Sequence, residues 1–230
     1  PALADAVIWT GDADSNEWGK SDTDGGDTYH PNWRNSGGVA VVAPTENDDV
    51  YIGPGSANDN YDTARVGGST EARAKTITIG REEIGSGTLI NRGALEVGQG
   101  ITVKDGLFET YADSATTIST IGLNVGSKGS VKNAGVITVE DGGVTVGNGG
   151  NFVNTGILSI DDNDHNIVVN SGNWEDILDA DISNDQPGYF NGGAGVLNSA
   201  GQLIIGANSE GLFVNSSSGS DDDAAVIVGG

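Results

Sequence analysis

The chain has 230 residues, 38 of them Gly, no Cys and no Met, and 33 acidic against 10 basic side chains, for a net charge of −23. Without Cys there is no disulfide framework and no thiolate metal site. The acidic excess is unsuited to nucleic acid, which requires clustered Lys and Arg, and no run approaches the ~18 apolar residues of a membrane helix.

The charge fits solubility by self-repulsion, and it also fits surroundings in which divalent cations neutralise the carboxylates. The sequence begins at Pro1 without Met, and Ala2-Leu3-Ala4 has the small-x-small form that precedes signal-peptidase sites. An exported protein, secreted or held at the cell surface with no membrane insertion, is the expectation, with Asp5 as a candidate mature start.

Residues 1–49 hold three of the four Trp (Trp9, Trp18, Trp33) and a dense acidic run from Asp12 to Asp27. Ala6, Val7, Ile8 and Trp9 predict a strand, and Val39 to Val42 a second one that Pro44 ends. The region between is turn chemistry. The whole segment is expected to be an N-terminal cap over the exposed apolar cross-section of a stacked fold.

Asp12-x-Asp14-x-Asn16 has the alternating oxygen ligands of a calcium loop, and Asp22, Asp24 and Asp27 form a second oxygen-rich group. Calcium is the cofactor these residues suggest. The loop pattern is incomplete, since Glu17 and Thr23 stand where a calcium loop carries Gly and Glu. Further acidic groups lie at Asp161, Asp162 and Asp164 and at Asp221 to Asp223.

From residue 50 onwards short Val/Ile/Thr runs bounded by Gly or Asn recur. Strands are predicted at 50–53, 75–79, 94–97, 101–103, 118–125, 136–139, 144–146 and 157–160. Asn133-Ala134-Gly135 with Ile137-Thr138-Val139 returns as Asn154-Thr155-Gly156 with Leu158-Ser159-Ile160, at an offset of 21 residues, and Asn91-Arg92-Gly93 lies 42 residues before Asn133. A fixed short period of this kind marks a repeat architecture. The expected fold is all-β: a single-stranded parallel β-solenoid over 50–215, right-handed by the crossover rule, with about 21 residues and three strands per coil. Asn91, Asn133 and Asn154 are expected to stack in successive coils as an amide ladder. Gly98, Gly100, Gly126, Gly147 and Gly149 are expected at corners that use positive φ.

The opening Trp9-Thr10-Gly11, Trp18, Asn32-Trp33, Pro44 and Asp49-Val50-Tyr51-Ile52, followed by Leu89-Ile90-Asn91-Arg92-Gly93-Ala94-Leu95-Glu96-Val97, resembles large bacterial extracellular β-helix proteins of the autotransporter-passenger and surface-fibre type. The resemblance implies a β-helix with a capped N-terminus. It implies no activity, because that class contains adhesins, enzymes and fibres alike.

At 161–190 the repeat weakens, and an irregular insertion is expected there, with a short helix at 174–178 and with Trp174 and Tyr189 available to an extracellular glycan. Coils resume after 195, and residues 216–230 read as a linker and a terminal strand. Ala225, Val226, Ile227 and Val228, or the Ala6–Trp9 strand, are candidates for addition to the sheet edge of another copy. Arg65, Arg73, Lys75 and Arg81 lie close in sequence, as a lyase base would require. His30 and His165 have no evident partners, and no nucleophile elbow occurs.

These features make a structural, non-enzymatic subunit that polymerises with itself head to tail the first expectation. An adhesin or glycan-binding domain is the second, and a polysaccharide lyase or hydrolase the third.

Overall fold

The computed structural model describes residues 6–10, 17–19, 21–24, 28–53, 63–67, 71–80, 85–140, 143–147 and 149–160, and beyond these the strands between 167 and 228. Every regular element among the described residues is a β-strand. Parallel strands stack into three walls of a β-solenoid with roughly 22 residues per coil.

Wall I runs through Ala6–Trp9, Asp49–Ile52, 76–79, 100–103, 122–125, Gly143–Val146, Ile167–Asn170, Tyr189–Asn191 and Phe213–Asn215. Wall II runs through Thr63–Val66, Gly87–Asn91, 106–110, 129–133, Asn151–Asn154, Asn173–Asp176, Val196–Ser199 and Val226–Val228. Wall III begins at 71–74 and continues through 94–97, Ala115–Ile118, Val136–Val139, Ile157–Ile160, Asp181–Asn184 and Gln202–Ile205.

The period-2 pattern of the strands decides which residues fill the column. In Val136–Val139 and Gly143–Val146 alternate residues are buried, so Ile137, Val139, Val144 and Val146 point inwards. One core runs from Val7 to Leu158 and includes Phe108 and Phe152 from wall II.

The expected strand at 118–125 is divided. Ala115–Ile118 belongs to wall III and 122–125 to wall I, and the Thr120 and Ile121 amides both donate to the Gln99 carbonyl at the corner between them. Gly122 has a φ of 91°, and a Cβ there would meet the Gly143 carbonyl oxygen of the next coil at 2.1 Å. Of the five corner glycines expected at positive φ, only Gly149 has it (85°). Glycine is needed instead where a wall begins and two backbones come close, as at Gly106 and Gly122.

Residues 173–176 form a strand, not the expected helix. Trp174 takes the register position of buried Phe152, so the preference of the stack overrides the local one. The 161–190 segment likewise contributes strands that continue all three walls in register. The expected 39–42 strand is reduced to Ala40–Val41, with Val39 and Val42 exposed on either side.

Candidate functional surfaces

The N-terminal end is built on the three tryptophans. Trp33 stands edge-on to Trp9 and to Trp18, with ring centroids 4.8 and 4.7 Å apart, and all three are buried. Trp33 Nε1 donates to the Trp18 carbonyl (2.7 Å), and Asn32 Nδ2 donates to the Glu17 carbonyl (3.0 Å). The Trp18 amide donates in turn to the Arg65 carbonyl of wall II (2.6 Å). The Nε1 groups of Trp9 and Trp18 are buried without a hydrogen-bond partner among the described residues. Strand Ala6–Trp9 is paired on both sides, antiparallel to Trp33–Asn35 and parallel to Asp49–Ile52. Of the two candidate assembly strands it is therefore the one already fully engaged within its own chain.

Asn91, Asn133 and Asn154 are all buried on wall II, but Asn91 and Asn133 are not neighbours. Thr110 lies between them in register. Asn91 Nδ2 donates to Thr116 Oγ1 and to the Ala115 carbonyl, each at 2.9 Å. The Thr110 hydroxyl donates to Asn133 Oδ1, and Asn133 Nδ2 donates to Asn154 Oδ1 (2.7 Å). The offset of 42 residues between Asn91 and Asn133 spans two coils; the Thr110 hydroxyl between them bonds to Asn133, while the Asn91 amide turns to Ala115 and Thr116 of wall III. Asn154 Nδ2 is buried with no partner among the described residues; Asp176 holds the next register position. A second Asn row, which sequence reading missed, places Asn170, Asn191 and Asn215 at one register position at the end of wall I. It follows the register row of buried Val125 and Val146, and the recurring Val-Asn and Phe-Asn strand ends were its signal.

A cleft of about 290 Å³ opens on wall III, lined by Glu46, Arg73, Glu96, Thr117, Ser119 and Glu140 among others. Arg73 Nη2 pairs with Glu71 Oε1 at 2.7 Å, and Arg73 Nε with Glu96 Oε2 at 3.3 Å. Its hydrogen bond and charge hold the Glu71 carboxyl below the usual range. The same bond to Glu71, followed by the charges of Glu71, Glu96 and Glu46, raises the Arg73 guanidinium further. Arg73 is thus engaged by two carboxylates of wall III, Glu71 and Glu96. Ser119 Oγ donates to Glu140 Oε2 at 2.8 Å.

The other basic residues diverge. Arg65 is on wall II, Lys75 Nζ pairs with Asp49 Oδ2 at 3.5 Å, and Arg81 lies outside the described residues. Asp12, Asp14, Asn16 and Asp27 also lie outside them, as do Asp161, Asp162, Asp164 and Asp221 to Asp223. Asp22 and Asp24 sit in a hairpin, opposite His30 and Thr28, where a turn was expected. Among the described residues no three His, Asp or Glu side chains converge as a metal site. Ala225 is outside the described residues, while Val226–Val228 pairs with 197–199 along one edge. Trp174 and Tyr189 fall on the register rows of Phe152 and of Val144 and Val168, rows that the described coils use for the core.

Comparison of the chain with protein-family models, with curated proteins and with solved structures finds no match.

Proposed function

We propose that this chain is a structural subunit of an extracellular filament or surface layer that grows head to tail by extending its own sheets. One observation carries the reading. Wall III is open at both ends among the described strands: 71–74 pairs only with 94–97, and Gln202–Ile205 only with Asp181–Asn184. Both edges have the same polarity. The last strand of one copy can therefore continue wall III of the next as one more parallel pairing, the strand-addition mode of recognition. The contact is heterologous and does not close on itself, so it propagates. Val226–Val228 is also paired along one edge only, but the first wall II strand, Thr63–Val66, is already bridged at Arg65 by Glu17, so the contact is assigned to wall III. The N-terminal tryptophan assembly serves in this reading as the cap of wall I. Calcium held near residues 12–27 would offset the repulsion between copies of net charge −23.

Register Ser183↔Ile204 places Ile204 on the row of Thr117, Thr138 and Ser159. A charge on an open edge disfavours strand addition. Ile204→Lys should abolish growth, measured by light scattering, whereas Thr138→Lys in the middle of the wall should leave it intact. Equal growth of both variants would remove the wall III contact from the account.

A further inference from the structure

Wall I differs from the other walls in its charge. After Asp49, none of its strands from 76–79 to Phe213–Asn215 contains Asp, Glu, Lys or Arg, in a chain with 43 such residues. Wall II carries Arg65, Glu109, Lys132 and Glu175 on its strands, and wall III carries Glu71, Arg73, Glu96 and Asp181. One row on wall I takes Thr102, Asn124 and Thr145, each half-buried between the buried residues of its strand. The register continues that row through Val169, Phe190 and Val214.

We infer that the outer face of wall I is a lateral docking surface for a second copy of this chain, packed sheet against sheet. Three arguments commit the face to that occupant. Two copies of net charge −23 repel wherever carboxylates meet, and this is a long face on which no strand after Asp49–Ile52 brings one. A hydroxyl or amide both donates and accepts, so a row of Thr and Asn complements an identical row, as an isologous contact requires. Parallel sheets with near-continuous apolar runs such as Ile167-Val168-Val169 are those covered on both faces. Two such faces pack about 10 Å apart. This lateral pairing is independent of head-to-tail growth, and would turn single columns into paired ones.

The test is sedimentation of the full chain carrying Ile204→Lys, which removes end-to-end growth where that occurs and is harmless where it does not. A dimer of twice 23.3 kDa is expected. Thr102→Glu with Thr145→Glu should return it to monomer, while Val153→Glu, half-buried on wall II, should leave it dimeric. A parent that is monomeric over its whole soluble range overturns the inference, and so does equal dissociation by both charge placements. Because the double variant can fail to fold, a second measurement uses the absence of native cysteine. Single cysteines at Thr78, Thr102, Asn124 and Thr145 are mixed pairwise under copper–phenanthroline oxidation. At least one pairing should cross-link faster than a cysteine at Val153; none doing so overturns the proposal. A monomer that instead adsorbs to crystalline cellulose through this face also overturns it.

Discussion

Asn133 Nδ2 donates to Asn154 Oδ1 at 2.7 Å, one coil further along the column, and to the Ile157 carbonyl at 2.9 Å where wall III begins again. A single buried amide thus ties coil to coil and wall to wall. Asn133 Oδ1 in turn accepts from Thr110, so its removal leaves several buried polar groups without partners. Each such group costs about 1–3 kcal/mol. Asn133→Ala should lower the unfolding free energy, measured by denaturant titration, by an amount in that range or above it. Thr138→Ala, on the outward row of the neighbouring wall III strand, should change stability by no more than about 0.5 kcal/mol.

Gly122 and Gly38 both have positive φ, at 91° and 78°, yet they should respond differently to substitution. A Cβ on Gly122 meets backbone of the next coil, while one on Gly38 meets nothing within 4 Å. Gly38→Ala should cost only the left-handed penalty of roughly 1–2 kcal/mol. Gly122→Ala adds a steric clash of about 1–3 kcal/mol, and its melting temperature should fall further.

The Glu71–Arg73 pair gives a signed expectation for pH. Arg73 lowers the folded-state pKa of Glu71. The stabilisation is therefore present above the ordinary glutamate range and is lost as pH falls through the lowered folded value. Both side chains are about half exposed, so the effect on global stability is small and screened by salt. Carbon-detected NMR should show the Glu71 carboxyl titrating below the ordinary glutamate range, and Arg73→Leu should return it to that range.

Calcium at residues 12–27 would act through carboxylates that otherwise repel one another. Added Ca²⁺ should release heat in isothermal titration and raise the melting temperature, and Asp12→Asn with Asp14→Asn should reduce both effects. Absence of heat and of thermal stabilisation in the unaltered chain would remove calcium from the account.

The column was legible in the sequence because its signals are periodic. Val136–Val139 and Ile157–Ile160 are bounded as expected, since alternation between Gly and Asn leaves each strand a single register. Thr63–Val66 was not expected, because Ala64 is a weak apolar signal and Arg65 obscures the alternation. The part of Thr110 could not be recognised from identity alone, since its hydroxyl takes the place of an amide while keeping the bond to Asn133. Trp174 and Tyr189 looked available because aromatic residues in a weakly repetitive segment suggest a ligand surface. Only the register places them on core rows, and places Phe190 on the outward row. The open edges of wall III were equally invisible in sequence, because an edge is defined by which strand lacks a neighbour.

Negative-stain electron microscopy of the purified full chain and of its Ile204→Lys variant tests the claim of self-assembly most directly. The unaltered chain should form unbranched filaments of constant width that lengthen with concentration, and the Ile204→Lys chain should form few or none. Dispersed particles of single-subunit size at every concentration, with Ca²⁺ present as well as absent, would contradict it.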